Sequence, residues 1–278
     1  MGSYSFAGQS AGLERVVNAR ELGGYTLPDG SRIRKNKLFR GGNLTFATAE
    51  DIRILSEKFG ICQIFDFRTD METKHQPDQE IPGAKYLWLP TIDPETEKLG
   101  DATLPREAYA DLGNYLVRHA SEPKIQDIAH NMYPSMIRNE YTQLQYAAFL
   151  QILANHPGDA FFWHCSQGKD RTGLGAAFLL LALGADMDLV MEDYAISQEY
   201  YAEDVKALYE QVERNGDGKE EEKVILTFIG ANSEYFKEAL DLMDSEFGGA
   251  EAYLANQLCL SEEDKASLKA KFLEQSKV

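Results

Sequence analysis

The chain has 278 residues, of which 44% are hydrophobic, and it carries a formal net charge of −17. A negative charge of this size repels nucleic acid and anionic membranes, which excludes both as general partners. The three cysteines, an odd number, do not suit a disulfide framework, and no apolar run reaches the ~20 residues of an integral membrane segment.

The length suits one large α/β core, and no long Gly/Ser/Pro linker divides the chain. We therefore expect a single domain over residues 1–278. The first six residues lack the basic and then apolar pattern of a secretory signal, and processing can remove such a signal, so cytoplasmic and secreted locations both stay open.

Short apolar runs alternate with helical patterns along the chain. The predicted strands are 38–39, 61–67, 86–89 and 160–164. A helix is predicted to begin after a Thr48 cap and to end at Gly60. Alternating strands and helices are typical of βαβ units, so we predict an α/β fold with a small, mostly parallel central sheet flanked by helices. A ligand site is then expected beyond the carboxyl ends of the strands.

Two segments are predicted to be helical insertions in this fold. In 107–155, the apolar residues from Tyr133 through Leu144 to Leu150 have the spacing of a packed face, which favours a scaffold role. The second segment, 200–243, is predicted to form two helices around the glycine-containing break 215–218. It is either a lid over a site or plain packing, and both alternatives stay open.

The run 164–173 has the sequence HCSQGKDRTG and lies between a strand and a helix. The helix, 173–183, is apolar on every face, which predicts a buried helix that Gly184 ends. Unpaired N–H groups and the positive end of the helix dipole then face the loop. Such a loop favours an anion and lowers the pKa of a thiol, so we expect a thiolate at Cys165.

The residue types in this loop predict an anion site with a nucleophile. The five residues between Cys165 and Arg171 let the backbone N–H groups line a concave nest. The planar fork of Arg171 suits two oxygens of a phosphoryl group. Thr172 can donate a hydrogen bond to the sulfur. The predicted phosphate-binding residues are Ser166, Gln167, Gly168, Lys169 and Thr172.

This loop resembles the active-site loop of the cysteine-dependent phosphatases. Its GKDRTG ending is similar to the bacterial and fungal tyrosine phosphatase family that also shows lipid phosphatase activity. Four further segments are similar to that family in the same order: 18–25, 39–44, 64–69 and 249–254. The resemblance implies a protein-tyrosine-phosphatase-like fold, with phosphotyrosine proteins as the first substrate class and phosphoinositides as the alternative.

The loop also predicts the mechanism. Cys165 attacks the phosphorus, Arg171 and the loop N–H groups hold the oxygens, and a carboxylic acid protonates the leaving group. Two residues are candidates for that acid: Asp170, within the loop, and Asp66, at the end of a neighbouring strand. Asp170 is favoured, because its place in the loop puts its carboxylate beside the bound phosphoryl group. The scheme needs no metal and no cofactor. Lys169 is suited to a second phosphate on the substrate.

Three alternatives are less well supported. A pseudophosphatase that only binds phosphate normally lacks the cysteine, the arginine or the acid, and all three are present here. A sulfur-transfer enzyme shares a cysteine loop but need not keep the Arg-Thr-Gly ending. An arsenate reductase usually needs a nearby second thiol, and Cys62 is predicted to lie in the core at the far end of its strand.

Overall fold

The computed structural model describes residues 10–94, 112–212 and 219–274. Its strands are β1 (Arg20–Glu21), β2 (Arg32–Ile33), β3 (Leu38–Gly41), β4 (Gln63–Asp66), β5 (Lys85–Trp88), β6 (Phe161–His164) and β7 (Leu273–Glu274). Five of them form the central sheet in the order β1-β3-β6-β4-β5, while β2 pairs with β7. Only β1 runs antiparallel to its neighbour in the central sheet. The predicted mostly parallel α/β fold is confirmed.

Helices flank the sheet and follow it along the chain. They are α1 (Ala49–Arg53), α2 (Asp70–His75), α3 (Leu112–His119), α4 (Pro123–Arg138), α5 (Glu140–Asn155), α6 (Asp170–Leu183), α7 (Met187–Val212), α8 (Lys219–Phe228), α9 (Ser233–Phe247), α10 (Ala250–Asn256) and α11 (Glu262–Phe272). In α6 every residue after the first two is buried, and Gly184 ends the helix with a φ of 105°. Both features agree with the sequence prediction.

The two faces of the sheet belong to different apolar clusters. Phe65, Phe161 and Trp163 pack in the larger cluster with α5 and α6, whereas Ile64 and Phe162 pack in a smaller one. Side chains that alternate along a strand point to opposite faces, so β4 and β6 are buried on both sides. Each large apolar side chain contributes about 1.5–3 kcal/mol on full burial. This burial fixes the carboxyl ends of the two strands side by side.

The helix predicted after Thr48 forms, but its second half widens. Thr48 caps α1, and residues Ile54–Lys58 continue it as a π-helix before Gly60. The Ser56 hydroxyl donates to the Ile52 carbonyl, the group that the Ser56 N–H would use in an α-helix. Such side-chain competition for a backbone acceptor loosens a helical turn.

The inserted helices differ in detail from the prediction for 107–155. Asn139 ends α4 and caps α5, so the two helices do not share one continuous face. Tyr133 and Leu150 are buried as expected, but Leu144 is 61% exposed. Residues 107–111 and the predicted break 215–218 lie outside the described residues. None of the helices in the described ranges combines the length and apolar character needed to cross a bilayer.

Candidate active site

The carboxyl ends of β4 and β6 bring the predicted site residues to one edge of the sheet. Asp66 is in register with His164, and Cys165 follows directly. Residues 165–171, here called the phosphate loop, then lead into the N-terminus of α6. Gly168 has a φ of 71°, and a Cβ there would lie 2.2 Å from the Gly41 carbonyl carbon. Glycine is therefore required at this position, because both the conformation and the close approach exclude a side chain.

Hydrogen bonds from neighbouring elements hold the carbonyl groups of the phosphate loop. The Asn43 side chain donates to the Ser166 carbonyl, and the Tyr201 hydroxyl donates to the Gln167 carbonyl. Asn18 and Arg40 both donate to the Gly168 carbonyl, and Arg40 also donates to that of Lys169. In a trans peptide the next N–H points opposite to the carbonyl. The N–H groups of residues 167–170 are therefore turned away from these donors, toward the inside of the loop. This arrangement supports the prediction of a nest for an anion.

A buried cluster of ion pairs, formed by Arg20, Arg40 and Asp193, supports the phosphate loop. Asp193 on α7 bonds to Arg20 at 3.2 Å and also to Arg40. Burial raises the pKa of Asp193, but the two guanidinium groups outweigh it and the net shift is downward. The cluster holds Arg40 in place, and Arg40 in turn holds the loop carbonyls.

Cys165 is only 2% exposed and lies at the base of the loop. Burial raises the pKa of its thiol, but the charge of Arg171 and the hydroxyl and N–H of Thr172 lower it by more, so the net shift is downward. The environment therefore favours the thiolate, the form that acts as a nucleophile. Thr172 is fully buried, and its hydroxyl oxygen has no hydrogen-bond partner among the described residues, which leaves it available to the sulfur.

Glu72 on α2 is a site residue that was missing from the sequence prediction. Its two carboxylate oxygens accept bonds of 2.7 Å from Nη1 and Nη2 of Arg171, and one oxygen also accepts from the Ser166 hydroxyl. Burial raises the pKa of Glu72, but Arg171 and Ser166 outweigh it and lower the pKa to about 2. The Thr69-x-x-Glu72 spacing after a strand was an available signal, and it forms a capping box at α2.

Asp170 and Lys169 contact the inserted helices. Oδ1 of Asp170 accepts a bond of 2.5 Å from the Tyr133 hydroxyl, and Oδ2 lies 3.4 Å from Nζ of Lys169. The Lys169 ammonium is fully buried and donates to the carbonyls of Thr227 and Gly230, at the end of α8 and just beyond it. This position favours a structural role for Lys169 over recognition of a second substrate phosphate.

Asp66 lies at the same edge of the sheet but is engaged in an ion pair. It bonds to Arg68 through both oxygens, accepts from the Tyr86 hydroxyl at 2.8 Å and is fully buried. Burial raises its pKa, but His164 and Arg68 outweigh it, so the pKa of Asp66 is lowered. These contacts support the ion-pair interpretation of Asp66 and favour Asp170 as the acid.

Asp66, Asp78 and His164 are the group among the described residues whose atoms could ligate a metal, since their ligand atoms lie within 4.8 Å of one another. Arg68 bonds to both carboxylates at 2.7 Å and supplies the positive charge that a metal would bring. His164 lies 3.1 Å from Asp78, and although burial lowers its pKa, the two carboxylates raise it by more. The cluster is therefore a network of paired charges, in which Asp78 Oδ2 and His164 Nε2 lie within ion-pair distance of each other but make no hydrogen bond within the described part of the chain.

Comparison with known proteins finds relatives that are named phosphatases. The model of the tyrosine phosphatase family matches residues 11–274. A candidate tyrosine-protein phosphatase of Cupriavidus necator is 26% identical over 265 residues, which are 94% of this chain and 87% of that protein. The triple specificity protein phosphatase PtpB of Mycobacterium tuberculosis is 25% identical, over 80% of this chain and 86% of its own. A tyrosine-protein phosphatase of Nostoc commune is 28% identical, over 83% of this chain and 71% of its own.

Proposed function

The chain belongs to the tyrosine phosphatase family, and from that premise we propose that it hydrolyses phosphomonoesters through a cysteinyl-phosphate, with phosphotyrosine proteins as its main substrates. The observation that carries the proposal is the phosphate loop, whose carbonyls are held outward around a buried thiol with a lowered pKa. A nest of N–H groups with a guanidinium binds a phosphoryl group, and the thiolate lies at its base.

In the first step, the Cys165 sulfur attacks the phosphorus in line. The S–P bond forms as the bond from phosphorus to the leaving oxygen breaks, and that oxygen keeps the electron pair. The carboxyl group of Asp170 donates a proton to it. Arg171 has five N–H donors, and Glu72 uses two of them, which leaves three for the equatorial oxygens. Glu72 thus fixes the plane of the guanidinium.

In the second step, a water molecule attacks the cysteinyl-phosphate. The O–P bond forms as the S–P bond breaks, and the electron pair returns to the Cys165 sulfur. The Asp170 carboxylate accepts the proton of the water, so the residue ends in its starting form. The Thr172 hydroxyl, which has no other hydrogen-bond partner among the described residues, is assigned to stabilise the departing thiolate.

We assign the acid to Asp170 and test the assignment against Asp66. Asp170→Asn and Asp66→Asn are each assayed with one aryl phosphate that has a good leaving group and one that has a poor one. Loss of the acid is expected to lower kcat/KM, which reports formation of the cysteinyl-phosphate and not its hydrolysis, about 10²- to 10⁴-fold on the poor leaving group and far less on the good one. If only Asp66→Asn shows this dependence, the assignment is wrong.

The substrate class is tested by phosphate release across phosphotyrosine, phosphoserine and phosphoinositide panels, with the Cys165→Ser protein as the blank. We expect the highest kcat/KM on phosphotyrosine peptides, because Lys169 is occupied by two carbonyls and does not reach a second phosphate. The phosphoserine and phosphoinositide panels are included because one relative is named a triple specificity protein phosphatase. A higher kcat/KM on phosphoinositides would assign the protein to lipid substrates.

We also propose that residues 1–278 form one phosphatase domain in which 200–243 acts as a lid. Two contacts support this role: Tyr201 donates to the Gln167 carbonyl at 2.5 Å, and Lys169 donates to the carbonyls of Thr227 and Gly230. Vanadate in the loop is expected to slow amide hydrogen exchange in the second half of α7 and in α8. Unchanged exchange in both helices would contradict the lid.

A further inference from the structure

Three helices, α4, α7 and, through Lys169, α8, meet at the carboxylate of Asp170. Tyr133 on α4 donates to its Oδ1 at 2.5 Å, and the Tyr194 hydroxyl on α7 lies 3.4 Å from the same oxygen. Lys169, anchored to the end of α8, approaches Oδ2. These contacts hold both oxygens of the side chain in one orientation.

The two phenols form a short chain that ends on Asp170. Their oxygens are 2.6 Å apart, and Tyr133 has the shorter distance to the carboxylate. Tyr194 therefore donates to Tyr133, and Tyr133 donates to Asp170. Burial and the charge of Asp170 raise the pKa of both phenols well above its usual value, so both remain protonated donors. Hydrogen bonds in such a buried chain strengthen one another.

Ring packing holds both phenols in this geometry. Tyr194 stacks on Phe236 of α9 with ring centroids 3.7 Å apart, and Tyr133 packs edge-on against the same ring at 5.6 Å. Both tyrosines are fully or almost fully buried. Their rotamers are therefore fixed by packing, as the support of a catalytic group requires.

We propose that Tyr133 and Tyr194 are positioning residues for proton transfer at Asp170: they hold Oδ1 and so leave Oδ2 as the oxygen that exchanges the proton with the leaving group and then with water. The inference rests on the proposed function and extends it to the inserted helices. Helices α4 and α7 then contribute to the reaction by orienting the acid. An acid displaced by about 1 Å can lose as much as 10²-fold in rate.

The test uses the full chain with Tyr133→Phe, Tyr194→Phe and the double variant, which keep the rings and remove the hydroxyls. Each is assayed on aryl phosphates with good and poor leaving groups. We expect the double variant to lower kcat/KM, which reports the first step, about 10- to 100-fold on the poor leaving group and to leave kcat/KM on the good one nearly unchanged. The Kd of vanadate is expected to stay at its wild-type value, because the loop N–H groups and Arg171 are untouched.

Tyr253→Phe is the matched control. Tyr253 is fully buried and donates to a backbone carbonyl, that of Ile137, at 2.8 Å. Its change removes one buried phenol hydrogen bond, so the loss of stability is comparable while the dependence on the leaving group stays that of the wild type. If Tyr133→Phe fails to fold, Tyr194→Phe carries the test, because it removes the donor to Tyr133.

A double-mutant cycle makes the inference falsifiable. On an Asp170→Asn background, removal of the two hydroxyls should add no further dependence on the leaving group, because the effect passes through Asp170. Equal losses on both substrates, or losses that add fully to Asp170→Asn, would overturn the positioning role. Failure of the proposed function gives a different result. In that case either the wild type shows no turnover that depends on Cys165, or the Asp170→Asn variant shows no dependence on the leaving group.

Discussion

At the scale of single residues, Arg171 lies between two negative groups with different tasks. Glu72 binds Nη1 and Nη2, and the charge of Arg171 lowers the pKa of the Cys165 thiol. One carboxylate thus orients the guanidinium, and the guanidinium prepares both the nucleophile and the phosphate site. Both the reactivity of the Cys165 thiol and the binding of phosphate therefore depend on the contact between Glu72 and Arg171.

Cys165→Ser is expected to abolish turnover and to leave vanadate binding largely intact. Serine lacks the acidity that makes the sulfur a nucleophile, while the loop N–H groups and Arg171 survive the change. Phosphate release and vanadate titration by calorimetry measure the two effects. Retained turnover in this variant would remove the covalent mechanism. Since no step uses a metal, EDTA should leave the wild-type rate unchanged.

Lys169→Met is expected to lower kcat/KM by the same factor on phosphotyrosine peptides and on bis-phosphorylated inositol lipids. The ammonium donates to the carbonyls of Thr227 and Gly230, so its removal disturbs the support of the loop and not a substrate contact. The two unpaired carbonyls should each cost about 1–3 kcal/mol of unfolding free energy. A selective loss on the lipids would show instead that Lys169 reads a second phosphate.

At the scale of elements, the phosphate loop depends on its contact with β3. Gly168 lies against the backbone of Gly41 and Gly42 with a φ of 71°. Arg40 on the same strand holds the loop carbonyls. The loop is therefore a tertiary unit built on β3 as much as a link between β6 and α6.

Gly168→Ala is expected to weaken vanadate binding strongly and to reduce the free energy of unfolding. Its methyl group would lie 2.2 Å from backbone, which must shift the loop away from β3. Gly83→Ala is the matched control, because Gly83 has a φ of 86° but open space around its Cβ position. The control measures the conformational cost of a positive φ alone, about 1 kcal/mol. Equal effects of the two changes would mean that the contact with β3 is unimportant.

At the scale of the whole molecule, the site adds to stability through charges that folding has paired. Glu72 has a pKa of about 2 in the folded protein, against 4.5 ordinarily. A lowered carboxylate pKa stabilises the folded state above the unfolded pKa, and this contribution is lost as the pH falls toward the folded pKa. The full contribution of Glu72 is on the order of 3 kcal/mol.

We therefore expect the difference in unfolding free energy between wild type and Glu72→Gln to shrink on acidification. Urea unfolding of both proteins at pH 7 and pH 3 measures it, and on the order of 2 kcal/mol of the difference should be gone at pH 3. Other carboxylates with lowered pKa, such as Asp66 and Asp193, titrate in both proteins and cancel. Parallel pH curves for the two proteins would contradict the assigned ion pair.

The sequence by itself determined the fold class and the centre of the proposed site. Strand–helix alternation predicted the mostly parallel sheet, and the contiguous run 164–173 predicted the loop, its nucleophile and the buried helix after it. The sheet, the loop between β6 and α6 and the buried helix form as predicted because they rest on local chemistry: a loop that ends in a helix N-terminus presents N–H groups wherever the rest of the chain lies.

Only the tertiary structure decided which residues support the loop. Glu72 is 99 residues from Arg171 in sequence, and Tyr133 is 37 residues from Asp170. Asp66 and Asp170 are both candidates for the acid in the sequence, and the contacts that favour Asp170, those of Asp66 with Arg68 and of Asp170 with Tyr133, are tertiary. No pattern along the chain encodes such pairs, because packing of the helices against the sheet sets the distances between them. The sequence therefore predicts the reacting groups, and the tertiary fold selects the groups that orient them.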